Sequence, residues 1–155
     1  MPNSCDFNHC QYYGLPFAFS IENPMPEGPS IVILKQLVQK FKGQKVIDIG
    51  GNTKVDFSIL QNQKITGFKS FGKNFFICFR TASIKIHFML FGSYRISERK
   101  QAPPRLSLRF ESGELNFYAC SVKLIREDLD NLYDWTADVM NENWSASKAR
   151  KKLKA

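Results

Sequence analysis

Apolar residues recur at three- and four-residue spacing from Ile31 through Leu34, Leu37 and Val38 to Phe41, with Lys35, Gln36, Gln39 and Lys40 between them. That period is the one-faced pattern of a helix, here of roughly four turns. Pro29 suits a first helical turn and Gly43 the position just past the end. After Gly43 the pattern shortens into runs of β-branched and aromatic residues at 45–49, 64–68, 74–79, 83–88, 92–96, 105–110 and 114–118. Gly50-Gly51-Asn52, the Pro103-Pro104 loop and Ser112-Gly113 punctuate them, and the cleanly alternating run 105–110 enters a hairpin through the last of these. Short strands at this spacing predict a β-rich α+β domain: an antiparallel β-sandwich of about eight strands with an N-terminal amphipathic helix, rather than a parallel sheet.

The two ends differ from this middle. Residues 1–24 mix Asn, Pro, Gly and aromatics in no period, and are read as a poorly ordered extension, either genuine or the artefact of an upstream start codon. Residues 25–133 form the main domain. Within them, 127–133 reads as a short helix or turn. Residues 134–155 read as a polar linker and the start of a basic helix, capped by Ser147, that opens a further domain.

A chain of 155 residues, 43% hydrophobic, is long enough for one domain with a substantial core, and its 14 phenylalanines suit a β-rich interior. The net charge of +8 points to an anionic partner such as nucleic acid, although part of it sits in the solvated tail Lys148, Arg150, Lys151, Lys152 and Lys154. Cys5, Cys10, Cys78 and Cys120 do not make a disulfide framework in a chain of this length. Cys78 and Cys120 fall in apolar runs and read as core thiols. Cys5, His9 and Cys10 offer three soft ligands with no second pair at zinc-site spacing, so no metal site is assigned. No apolar run reaches membrane-spanning length, and the N-terminus lacks a basic start followed by an apolar core; a soluble, intracellular protein is expected.

Met25-Pro26-Glu27-Gly28-Pro29 places a proline beside a carboxylate at the entrance to the helix. If translation starts at Met25 and the methionine is removed, Pro26 is a free secondary amine, a group suited to imine chemistry on an aldehyde with the acid shuttling protons. Three further pieces follow in order: Ser70-Phe71-Gly72-Lys73; His87-Phe88-Met89-Leu90-Phe91-Gly92-Ser93-Tyr94-Arg95; and the alternating hairpin 105–121 with its Lys-Leu-Ile strand. Together they resemble the formamidopyrimidine-DNA glycosylase and endonuclease VIII family of base-excision enzymes over roughly residues 25–155. Pro-Glu-Gly-Pro is nearer the endonuclease VIII branch.

The resemblance implies a catalytic β-sandwich domain over 25–133 that acts on damaged bases in double-stranded DNA as a monomer, in a cytoplasmic, nucleoid-associated setting. It makes Pro26 the nucleophile at C1′, Glu27 the general acid that assists sugar-ring opening, and Lys73 the group that holds the phosphate beside the lesion and assists β- and δ-elimination. Met89, Leu90 and Phe91 match the family's void-filling loop, which enters the stack where a base has been extruded. Lys69 and Arg95, beside and within the same motifs, complete the DNA-binding set. His87 is read as a packed strand histidine without a catalytic role. Ser30 stands where the family commonly carries a glutamate that helps proton handling. The family's helix-two-turn-helix domain and zinc finger fall beyond the chain's end, so no cofactor is expected in this chain. The alternatives are a non-catalytic DNA-binding β-sandwich fragment that holds phosphates only, and a fragment that neither binds nor cuts. If residues 1–24 stay attached, Pro26 is an internal amide without a nucleophilic lone pair.

Overall fold

The computed structural model describes residues 28–142 and 144–154. Pro26, Glu27 and the Cys5, His9 and Cys10 group lie outside the described residues. The helical period gives α1, Gly28–Leu37, continued by a 3-10 turn, Val38–Phe41. Ile31, Leu34, Val38 and Phe41 are fully buried, while Leu37 is half-exposed. The buried stripe therefore follows alternating steps of three and four residues, and Leu37 falls on its flank.

Six strands follow: β1 Asp48–Gly50, β2 Ile65–Phe71, β3 Asn74–Phe79, β4 Ser83–Ile96, β5 Leu106–Phe110 and β6 Gly113–Ile125. All pair antiparallel in one sheet of order β1-β5-β6-β4-β3-β2. The antiparallel, β-rich character matches the sequence reading; the count is six rather than about eight. The run 45–49 contributes only β1 and an isolated bridge from Lys45 to Lys64. The runs 83–88 and 92–96 belong to one 14-residue strand. Glycine and serine at 92 and 93 make a bulge instead of a turn: Phe88 pairs with Cys120 and Ser93 with Tyr118, so residues 89–92 stand opposite Ala119 alone. Ala119 meets them with φ of 48°, a left-handed backbone that sharpens the bend in β6.

The bend folds the sheet over on itself. Phe75 on β3 and Phe117 on β6 would be roughly 20 Å apart on a flat sheet, given strand spacing and rise. Their rings lie 6.2 Å apart, and Phe88 is also 6.2 Å from Phe117. The layers of the domain are thus two halves of one hydrogen-bonded sheet. The core between them includes Phe75, Ile77, Ile84, Ile86, Leu108 and Phe117, and α1 adds its buried stripe, with Phe41 stacked on Phe110 at 4.6 Å.

Phe76 points to the other face of β3 and is equally buried. Its cover is the segment after β6. There Asp128 caps a short helix, α2, Leu129–Leu132, by accepting from the Asp130 N–H. Tyr133 and Trp135 then lie 5.0 and 5.9 Å from the Phe76 ring and 5.3 and 6.1 Å from Phe71. Residues 134–138, expected as the opening of a polar linker, therefore contact the sheet. The terminal helix α3, Ala146–Lys154, begins one residue before Ser147, and Ser145 rather than Ser147 stands just outside it.

Candidate functional site

The candidate residues within the described chain gather toward one end of the folded sheet. β2 and β3 are joined there by the two-residue turn Gly72-Lys73, with Phe71 paired to Asn74 across it. Gly72 takes φ of 56°, which a side chain would resist. Lys73 is exposed at the tip and makes no ion pair among the described residues. The turn is tied down from one side: the Gly72 N–H donates to Asp138 Oδ2 at 3.1 Å, and Asp138 Oδ1 accepts from the Met140 N–H. Asp138 is 9% exposed, so this carboxylate is committed to holding backbone.

The same short segment reaches the start of α1. A Cβ placed on Gly28 would stand 3.3 Å from Met140 Cγ. Gly28 and the Gly72-Lys73 turn therefore both lie against residues 138–140. Pro26 and Glu27 are the two residues that precede Gly28 in the chain.

On the neighbouring strand, His87 pairs with Asn74 in the ladder, and its Nδ1 lies 3.1 Å from Asn74 Oδ1. Beyond it the bulge carries Met89, Leu90 and Phe91 into solvent, 57%, 55% and 76% exposed. Their neighbours explain why. Phe88 is buried against Phe117 and Tyr94. Gly92 is buried so close to Phe88 that a Cβ on it would meet the Phe88 Cβ at 2.7 Å. The chain doubles back on Phe88, and the three apolar side chains between are turned outward. Lys100 braces the far side: its Nζ donates to Ser93 Oγ at 2.8 Å, and its backbone N–H donates to the Tyr118 hydroxyl.

Lys69 and Arg95 are placed differently. Lys69 Nζ sits 2.8 Å from Asp130 Oδ1 and 5.0 Å over the Trp135 ring, and Trp135 Nε1 donates to the same carboxylate. Lys69 thus fastens the C-terminal segment to the sheet. Arg95 is half-buried beyond the bulge, opposite Asn116, with a guanidinium N–H donated to the Tyr94 carbonyl at 3.3 Å. The sequence reading missed Asp138 and Trp135. The only local sign of them is an acid and an indole in a polar stretch, and their roles come from contacts across more than 60 residues of chain.

The Lys69 and Trp135 hydrogen bonds hold the Asp130 carboxyl below its usual value of 3.8. A carboxylate depressed on folding adds stability that is present above the unfolded pKa and lost as pH falls through the folded one. In a Trp144→Phe background, which leaves Trp135 as the sole indole, its emission is expected to change only below about pH 4. Asp130→Asn should remove that transition; an identical transition in the Asn variant would assign it elsewhere. Burial pushes the Cys120 thiol up to about 12 and the half-buried Cys78 thiol also upward, so both are protonated near neutral pH. Among the described residues no three His, Cys, Asp or Glu side chains come together as metal ligands. No described helix is long and apolar enough to cross a membrane.

The folded antiparallel sheet with its leading helix is the fold of solved DNA glycosylases. A viral DNA glycosylase aligns over 83% of this chain and 57% of its own length with a TM-score of 0.67 at 16% identity. MutM in complex with DNA containing carbocyclic 8-oxo-G aligns over 70% of this chain and 48% of its own, with a TM-score of 0.61 at 22% identity. A Lactococcus lactis FPG mutant bound to Fapy-dG-containing DNA aligns over 70% and 46%, with a TM-score of 0.62 at 22% identity. The chain spans about half the length of these structures. Residues 25–121 match the formamidopyrimidine-DNA glycosylase N-terminal domain, and the chain belongs to that family. No curated protein matches the sequence.

Proposed function

We propose that residues 25–133 are the catalytic half of a base-excision DNA glycosylase with abasic-site lyase activity, of the endonuclease VIII-like branch. It acts on duplex DNA as a monomer associated with the nucleoid, and residues 134–155 lead into a helical DNA-binding domain. The observation that carries this reading is that Gly28 and the Lys73 turn both lie against residues 138–140. Gly28 directly follows Pro26 and Glu27 in the chain, Lys73 is exposed at its turn, and the next strand but one carries the exposed apolar bulge, which together support a site there. The Pro26 nitrogen attacks C1′ and the base leaves with its bonding electrons and a proton. Glu27 protonates the opening sugar oxygen, and the nitrogen lone pair completes an iminium. The iminium acidifies the C2′–H, and loss of that proton expels the 3′ phosphate; δ-elimination expels the 5′ phosphate, and water releases the amine. Lys73 neutralises charge on the adjacent phosphate. Met89, Leu90 and Phe91 fill the gap left by the extruded nucleotide.

Borohydride fixation of the imine on a duplex with one abasic site tests the reading; absence of adduct from protein that begins at Pro26 would sink it. Phe91→Ala is expected to leave stability within about 0.5 kcal/mol, since the ring is solvated. The same change should slow excision of a paired damaged base while sparing an abasic site, which has no base to extrude. Equal rates on both substrates would remove Phe91 from the wedge. The second reading, a domain that only holds phosphates, rests on the residues before Pro26: with these attached the Pro26 nitrogen is an amide.

A further inference from the structure

Resting on the reading that this domain works on duplex DNA, we infer that the cationic cleft at the opposite end of the sheet from Lys73 is a second phosphodiester-binding site. It grips the backbone of the flanking duplex. The cleft encloses about 750 Å³ between the α1 side of the domain, the β3–β4 turn and the segment that follows β6. Lys35 comes from α1, Lys42 from just past its 3-10 continuation, Arg80 from the β3–β4 turn, and Arg126 from just past β6. None of these four makes an ion pair among the described residues. Glu127 and Asp128 are the carboxylates that line the cleft, and Asp128 is engaged at the start of α2. Lys69 also lines it, but its charge is met by Asp130.

Three features fit a nucleic-acid backbone better than one small anion. No charged side chain lining the cleft is buried, so it is a solvated groove and not an enclosed site. Its cations are spread out: Lys35 lies in α1 and Lys42 just past the 3-10 turn that continues it, on the order of 10 Å away at about 1.5–2 Å of rise per residue, farther than one phosphate group reaches. The cleft also sits within reach of the same DNA. β3 runs from Asn74, next to Lys73, to Phe79, next to Arg80. The two sites are therefore roughly 20 Å apart, the length of about six base pairs.

The test is fluorescence anisotropy with an undamaged duplex of about 24 base pairs across a salt series, using the whole chain. Arg80→Gln/Arg126→Gln is expected to make the slope of log affinity against log salt shallower by about two, because each lost phosphate contact removes about 0.9. The control Lys54→Gln/Arg109→Gln removes the same formal charge at two positions that do not line the cleft and should leave the slope near wild type. A slope unchanged in the cleft variant, an equal drop in both variants, or no duplex binding by the wild type would each overturn the site. Thermal melting checks that both variants fold. Adduct yield at saturating abasic DNA, measured on wild type and cleft variant that both begin at Pro26, should be equal, so loss of the cleft's role is distinguishable from loss of the imine chemistry.

Discussion

Protein that begins at Pro26 is expected to be fixed covalently to abasic duplex by borohydride, and protein that retains residues 1–25 is expected to give no adduct. The difference is one of bonding rather than of degree. A chain-terminal proline is a secondary amine that titrates near 8, so an appreciable fraction carries a free lone pair at neutral pH. Inside a chain the same nitrogen is an amide, its lone pair delocalised into the carbonyl, and it cannot form an iminium. Adduct formation by the Pro26 form should rise with pH toward a plateau as the amine deprotonates. Glu27→Gln should slow base excision on the order of 10²–10⁴-fold, the usual contribution of a positioned acid. An adduct from the longer protein would overturn the assignment. Peptide mapping would then show which amine reacted, with the exposed Lys73 the first place to look.

Where chemistry and local backbone coincide, the sequence was a good guide. The three- and four-residue spacing of Ile31, Leu34, Val38 and Phe41 marks a face that α1 and its continuation bury completely. β3 was legible to its ends, and the β5–β6 hairpin was legible in position. The lack of alternation in β3 also has a cause: Phe75 is covered by the main core, and Phe76, on the other face, is covered by Tyr133 and Trp135. The cover itself was not legible. Tyr133 and Trp135 stand in a polar stretch, and nothing local says that a sheet face 60 residues earlier awaits them. The bulge was illegible for a similar reason. Gly92-Ser93 carries the same signal for a turn and for a bulge, and only pairing with β6 decides between them. The candidate site shows the same division. Lys73 and residues 89–91 were named because motifs mark them, whereas Asp138 acts through one carboxylate on a distant backbone N–H.

That bulge links the core to the candidate site, and Phe117 is where the link is tested. Its ring meets Phe75 from one half of the folded sheet and Phe88 from the base of the bulge. Phe117→Ala is expected to cost about 3–5 kcal/mol, the usual range for emptying a buried phenylalanine site. Chemical denaturation would measure it. Because Phe88 would lose the surface it packs on, the bulge should also loosen: hydrogen exchange of residues 89–93 should quicken in Phe117→Ala under native conditions. Phe91→Ala is the counterpart, since its ring is 76% exposed and little of it is buried by the fold. If both substitutions left stability unchanged, the facing of the two sheet halves would be wrong. If Phe117→Ala destabilised the domain while residues 89–93 exchanged no faster than the rest, the bulge would be held by Lys100 and Gly92 alone. The outward set of Met89, Leu90 and Phe91 is then a property of the local backbone and not of the core.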